Sequence, residues 1–129
     1  MANHYETVFV ETYIKKEYQE RLLFELKSPR KREKALSRFA YDVKKLFKPS
    51  ILVTKIAIED AHIELQNKNE KTCYLISGDE HDGQFFSIDT AFQYFVDTYM
   101  PMILVQKEQA FLKEEVENNC SIYWLRSTK

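Results

Sequence analysis

The sequence predicts an α+β fold in which two N-terminal amphipathic helices precede a mixed sheet of about five strands covered by helices. Three observations support this prediction. Apolar residues recur every three or four positions through the first 48 residues, the period of a helix with one buried face. Short β-branched and aromatic runs dominate the remainder of the chain. Near the middle of that remainder, one amphipathic helical pattern stands between two apolar strand patterns.

The two N-terminal helices are expected to form a hairpin. The first runs from about His4 to Lys27, with a short initial strand over residues 7–10 as the alternative. The second begins at Ser28, because serine is a good N-cap and the proline after it fits a first helical turn. It ends before Pro49. Such a pair needs a sheet, or each other, to cover its apolar stripes.

A strand–helix–strand unit is the predicted centre of the sheet. Residues 73–76 and 102–105 are continuous apolar runs, which are typical of strands covered on both faces. Ser87 is expected to cap the N-terminus of the helix between them, and Pro101 is expected to end that helix. The simplest arrangement of this unit is a right-handed crossover between parallel strands, giving a βαβαβ order.

The remaining elements complete the predicted sheet. Residues 51–56 are expected to form its first strand and residues 59–67 a short helix, with a strand as the alternative. Residues 110–114 and 121–126 are expected to be the last two strands. Because tight turns separate these two strands from each other and from the preceding strand, they predict an antiparallel meander.

Composition indicates one soluble domain. With 44% hydrophobic and 30% charged residues, the 129-residue chain has globular values and a length suited to one core. No apolar run approaches the ~20 residues of a membrane span, and the N-terminus lacks the plan of a signal peptide. We therefore expect a cytoplasmic single domain over residues 1–129, with the helical hairpin at 1–48 and the sheet at 49–129.

Charge is distributed unevenly along the chain. Nine basic residues and two acidic ones lie between Lys27 and Lys48, a local balance of +7. Thirteen acidic residues and four lysines lie between Glu59 and Asn119, a local balance of −9. One interpretation is that the basic helix partly complements the acidic half of the same molecule.

The acidic half also predicts a protein-binding module that attracts a basic partner, as immunity proteins and antitoxins do. Its candidate partner-binding residues are Asp79, Glu80, Asp82, Glu114, Glu115 and Glu117. The alternative is a nucleic-acid-binding protein in which a basic helix over Arg30–Lys48 neutralises phosphates. Its candidate residues are Arg30, Lys31, Arg32, Lys34 and Arg38. A pI of about 6.3 and the lack of aromatic residues among these cations weigh against nucleic-acid binding.

The segment from Asp79 to Gly83 is the polar cluster that most resembles a ligand site, because it follows the end of a predicted strand. Its metal-ligand candidates are Asp79, His81 and Asp82, but the twelve-residue pattern of a calcium hand is absent. The simpler interpretation is a charged surface turn. Because motifs for nucleotide binding, serine hydrolysis and helical zinc binding are also absent, we predict no enzymatic activity, cofactor or metal.

Two further expectations concern the ends of the predicted sheet and its cysteines. The last strand is a candidate sheet edge through which two copies of the chain could pair as a homodimer.

Cys73 and Cys120 both lie in or beside strand patterns. In a cytoplasmic protein we expect both to be reduced and to act as small apolar residues.

Overall fold

The computed structural model describes residues 4–41, 43–68, 70–97, 101–116 and 119–127, with backbone only at 40, 41, 43, 44, 115, 116, 119 and 120. Its helices are α1 His4–Tyr13, α2 Lys16–Lys27, α3 Arg32–Tyr41, α4 Val43–Leu46, α5 Ile58–Gln66 and α6 Ile88–Asp97. Its strands are β1 Ile51–Ile56, β2 Thr72–Ser77, β3 Gln84–Ser87, β4 Met102–Val105, β5 Gln109–Val116 and β6 Asn119–Ser127. Each helix within these ranges is too short or too polar to span a bilayer.

The six strands form one sheet in the order β1-β6-β5-β4-β2-β3. The α+β class and the order of helices before sheet are confirmed. The mixed sheet is wrong, because every strand pair that the structure describes is antiparallel. The error arises at Phe85 and Phe86, which follow the polar turn and fold back onto β2 as the unpredicted strand β3. The crossover through α6 therefore connects β3, not β2, to β4. Strand β2 lies between β3 and β4 and is antiparallel to both.

The last strand is not an edge of the sheet. β6 lies between β1 and β5, so both of its hydrogen-bonding sides are occupied. The outermost strands of the described sheet are β1 and β3. The homodimer stays a prediction, and a pairing of strand edges would have to use one of those two strands.

The predicted N-terminal hairpin is divided into shorter helices. The first predicted helix breaks at Ile14, which forms an isolated antiparallel bridge with Phe47. The N–H of Lys15 donates to the carbonyl of Leu46 at 2.8 Å, a bond that a continuous helix would use within itself. The second helix starts at Arg32, four residues later than predicted. Residues 7–10 belong to α1, so the alternative of an initial strand is wrong.

The sheet separates two apolar cores. The N-terminal helices α1–α4 cover one face, where Tyr74 and Ile76 of β2 are buried, and α5 and α6 cover the other, where Cys73 and Leu75 are buried. This two-sided burial confirms what the continuous apolar runs predicted, because successive strand residues point to opposite faces. Leu75 lies directly opposite Leu104 on the neighbouring strand.

Helix α6 is fixed at both ends. At its start, the hydroxyl of Ser87 accepts the N–H of Thr90 at 3.3 Å, which confirms the predicted N-cap. At its end, the ammonium group of Lys113 donates to the carbonyl of Phe95 at 2.6 Å. Lys113 is buried on β5, so the helix terminus is anchored directly to the sheet.

Candidate functional site

The basic helix α3 is tied to the acidic part of the chain by Arg32. Its guanidinium donates to both carboxylate oxygens of Glu6, at 2.8 and 2.9 Å, and to both of Asp82, at 2.8 and 2.9 Å. Two such forked pairs match the planar geometry of arginine. The hydrogen bond to Glu6 raises the pKa of Arg32 most strongly, so the charge of this residue is permanent. Arg32 and Asp82, predicted to belong to two different binding surfaces, thus bind each other.

The other cations of the nucleic-acid prediction divide into two groups. The Nε of Arg38 donates to the nearly buried carboxylate of Glu25 at 2.9 Å, so Arg38 also has a structural partner. Arg30, Lys31 and Lys34 are exposed. Within the described residues, the structure therefore leaves three of the five predicted phosphate contacts accessible.

The segment from Asp79 to Gly83 is the turn of the β2–β3 hairpin. One oxygen of Asp79 accepts the hydroxyl of Ser77 at 2.6 Å and the N–H of His81 at 2.9 Å. Gly83 has a φ of +74°, a left-handed conformation that glycine adopts without strain, and its N–H donates to the carbonyl of Leu75 at 2.8 Å. The polar atoms in these hydrogen bonds stabilise the conformation of the turn.

The metal-ligand candidates of this turn do not converge. The ring of His81 stacks on Tyr94 of α6, with centroids 3.7 Å apart, and both oxygens of Asp82 accept hydrogen bonds from Arg32. In the described part of the chain, no three side chains of metal-ligating types form a group that could hold an ion. The geometry of this turn is therefore that of a surface turn.

The predicted acidic partner site is also dispersed. Glu80 is 85% exposed, but Asp82 is paired with Arg32. Glu114 accepts the hydroxyl of Tyr123 at 3.0 Å. The remaining two candidates, the side chain of Glu115 and all of Glu117, lie outside the described residues.

Helices α5 and α6 together form an acidic surface that the sequence analysis did not single out. They contain five carboxylates and no lysine or arginine: Glu59, Asp60, Glu64, Asp89 and Asp97. On the same two helices, Ile63 is 52% exposed and Val96 is 38% exposed. We name this surface, the five carboxylates with Ile63 and Val96, the acidic helix face. The sequence shows that neither helix contains a lysine or arginine. Only the fold shows that the two helices are neighbours.

No family model, curated protein or solved structure matches the chain. Its function is therefore argued from its own geometry.

His62 joins the two helices of the acidic helix face. Its ring stacks on Phe92 of α6 with centroids 4.3 Å apart, and its Nε2 lies 3.2 Å from a carboxylate oxygen of Asp89. The stack holds α5 against α6 at the surface, so the carboxylates on both helices keep a fixed spacing.

Cys73 is a buried residue of the core between β2 and the helices α5 and α6. Burial raises the pKa of its thiol to about 12, so the thiol keeps its proton at neutral pH and is a poor nucleophile. The prediction of a free, small apolar residue is confirmed for Cys73. The side chain of Cys120 lies outside the described residues.

Proposed function

We propose that this protein is a binding module whose acidic helix face docks a basic protein partner. The observation that supports it best is that the neighbouring helices α5 and α6 carry five carboxylates, no lysine or arginine and two exposed apolar side chains. The charges would steer a basic partner toward the surface. Ile63 and Val96 would then supply apolar area to the contact, and buried apolar side chains contribute strongly to affinity.

The layered fold supports a defined orientation for such a partner. Arg30, Lys31 and Lys34 are exposed on the N-terminal helical layer, on the other side of the sheet from α5 and α6. A basic partner would be attracted to one layer and repelled by the other. This is the physical design of an inhibitor such as an immunity protein or antitoxin, and we propose that kind of role. A cytoplasmic setting belongs to the same proposal.

The test compares charge reversals on the two layers. Glu64→Lys with Asp97→Lys reverses two charges on the acidic helix face, near helix C-termini where lysine suits the helix dipole. The matched control, Glu11→Lys with Glu20→Lys, reverses two exposed carboxylates on α1 and α2. Each tagged protein is used for affinity capture from native lysate at about 0.05 M and about 0.5 M salt, and the retained proteins are identified by mass spectrometry.

We expect the wild-type protein and the control to retain the same basic protein in stoichiometric amounts at low salt. The reversal on the acidic helix face should lower its recovery about ten-fold or more, since steering and complementarity are both lost. Retention of no stoichiometric protein by the wild type, or equal retention by all three, would contradict the proposed function.

Nucleic-acid binding is a second candidate, favoured only by the exposure of Arg30, Lys31 and Lys34. Three phosphate contacts would give a slope of about −3 for the logarithm of affinity against the logarithm of salt concentration. Reversal of all three residues to Glu should remove such binding to a fluorescent DNA duplex, measured by anisotropy. Binding that ignores both the salt concentration and these substitutions would eliminate this candidate.

A further inference from the structure

A cleft of about 410 Å³ lies between α1 and the sheet, away from the acidic helix face. Its helical wall is one face of α1, where aromatic residues four positions apart line the cleft: Tyr5, Phe9 and Tyr13. Its floor is a row of neighbours across three strands: Phe85, Tyr74 and Val105. Both the volume and the mainly apolar lining are typical of sites for small molecules.

Aromatic rings define the shape of this cleft. Tyr5 stacks on Tyr74 with centroids 5.6 Å apart and meets Phe85 edge-on at 4.7 Å. Tyr5 and Phe85 are each about half exposed, so part of each ring is available to a ligand. A planar aromatic body can stack on such rings or meet them edge-on, and either arrangement is favourable beyond the area it buries.

Tyr13 provides a polar group inside the cleft. The residue as a whole is 3% exposed and lines the cleft, and its hydroxyl makes no hydrogen bond to the described residues. Burial raises the pKa of this hydroxyl to about 12, so it remains protonated and can donate. Because Tyr13 lines the cleft, its hydroxyl is placed to donate a hydrogen bond to an oxygen acceptor of a ligand bound there.

The rim of the cleft favours an anion. Lys71 and Lys107 line it and are exposed, and the carboxylate that lines it, from Glu70, accepts the backbone N–H of Lys107 at 2.8 Å. Two ammonium groups against one carboxylate leave this rim with a net positive charge. A carboxylate is an anion that would suit this rim.

We propose that this cleft binds a small aromatic carboxylate that also carries a second oxygen acceptor. The aromatic ring lies against Tyr5 and Phe85, the second oxygen accepts the hydroxyl of Tyr13, and the carboxylate meets Lys71 and Lys107. The site is independent of the acidic helix face, because different helices on opposite faces of the sheet form the two surfaces.

The probe for the test is 6-hydroxy-2-naphthoate, which has a carboxylate and a hydroxyl on one planar ring system. Its methyl ester lacks the charge, and 2-naphthoate lacks the second oxygen. Affinities for all three compounds are measured by isothermal titration calorimetry, and nuclear magnetic resonance shifts locate the site. We expect the acid to bind the wild-type protein about five-fold more tightly than its ester, because only the acid is attracted by the lysine rim.

Two variants assign the contacts to individual residues. Tyr13→Phe should weaken binding of 6-hydroxy-2-naphthoate about five-fold, the effect of one lost hydrogen bond, and should leave 2-naphthoate unchanged. Lys71→Glu with Lys107→Glu should remove the preference for the acid over its ester. Both substitutions at the rim are on exposed residues, so the fold should be retained, which far-ultraviolet circular dichroism checks.

A blocking variant tests the location directly. Val8 lines the cleft and is exposed, so Val8→Trp should occupy the mouth and abolish binding. Ile63→Trp adds the same bulk to the acidic helix face and should leave binding unchanged. Binding that survives Val8→Trp, an ester that binds as tightly as the acid, or the absence of wild-type binding up to about 1 mM would each overturn the proposal. If Val8→Trp fails to fold, the Tyr13 and lysine variants decide the question.

Discussion

A single guanidinium joins the basic helix α3 to both α1 and the acidic part of the chain. Arg32 lies between Glu6, whose side chain is 2% exposed, and Asp82 in the hairpin turn. Glu6 also accepts the hydroxyl of Tyr74 at 2.6 Å, so the network joins α1, α3 and β2. The interpretation that basic residues complement the acidic half of the same molecule is therefore correct at this point. It holds for specific pairs, because the exposed cations beside Arg32 do not take part in the network.

Arg32→Met should be strongly destabilising, since it leaves the buried carboxylate of Glu6 without its charged partner. We expect a decrease of about 3–5 kcal/mol in the free energy of unfolding, measured by urea denaturation. Arg30→Met, on an exposed neighbour, is the control and should change that free energy by about 0.5 kcal/mol or less. Equal effects of the two substitutions would show that the Arg32 network does not stabilise the fold.

The thiol of Cys73 should make stability depend on pH in alkaline solution. Burial raises its pKa from 9.0 to about 12, so the unfolded chain loses this proton before the folded protein does. The stabilisation is complete below pH 9 and is lost as the pH rises toward 12, by up to about 1.4 kcal/mol per unit. Urea denaturation at pH 8 and pH 10 should show a larger loss for the wild type than for Cys73→Ala. Parallel losses in the two proteins would refute this assignment.

At the scale of elements, α6 shows what local sequence can and cannot predict. Its N-cap at Ser87 was predictable, because capping depends on residues within one turn. Its C-terminal anchor is Lys113, which lies 16 residues beyond the last residue of the helix and reaches it only through the sheet. The strand β3 was missed for a similar reason. Only four residues long, it is defined by its pairing with β2 more than by its own sequence.

Lys113→Met should destabilise the junction of α6 with the sheet. Methionine keeps most of the apolar volume, but the carbonyl of Phe95 loses a charged donor in a buried setting. We expect the free energy of unfolding to fall by about 1.5–3 kcal/mol. Lys55→Met on the exposed side of β1 is the matched control, and it should be near neutral in the same urea titration. A neutral Lys113→Met would mean that this bond contributes nothing net to stability.

At the scale of the whole molecule, one sheet keeps two helical layers of different charge apart. The central strands β4 and β5 are buried by helices on both faces, whereas β3 is an outermost strand of the described sheet and has mostly exposed residues. The layers explain how a chain with a net charge of only −1 can present a strongly acidic surface. This surface was not predicted from the order of charges in the sequence. The β2–β3 hairpin separates α5 from α6 along the chain, so their carboxylates do not form one run.

Amide hydrogen exchange should report this architecture. Amides of β4 and β5 should exchange only through global unfolding, at rates that correspond to the full free energy of unfolding. Amides of β3 should exchange faster through local opening, because one side of the strand pairs with no other strand among the described residues. Exchange measured by mass spectrometry on peptides from these strands would detect the difference. Equal protection of β3 and β5 would contradict the layered description.

The sequence by itself determined the α+β class, most of the helices and strands, the cap of α6 and the two-sided burial of β2 and β4. These features follow from periodicity and capping, which act over a few residues. Only the tertiary structure decided the antiparallel order of the strands, the pairing of Arg32 with Asp82, the acidic helix face and the cleft beside α1. Each of these depends on which distant segments become neighbours. That choice is made by the packing of the whole chain, which local patterns of residues do not specify.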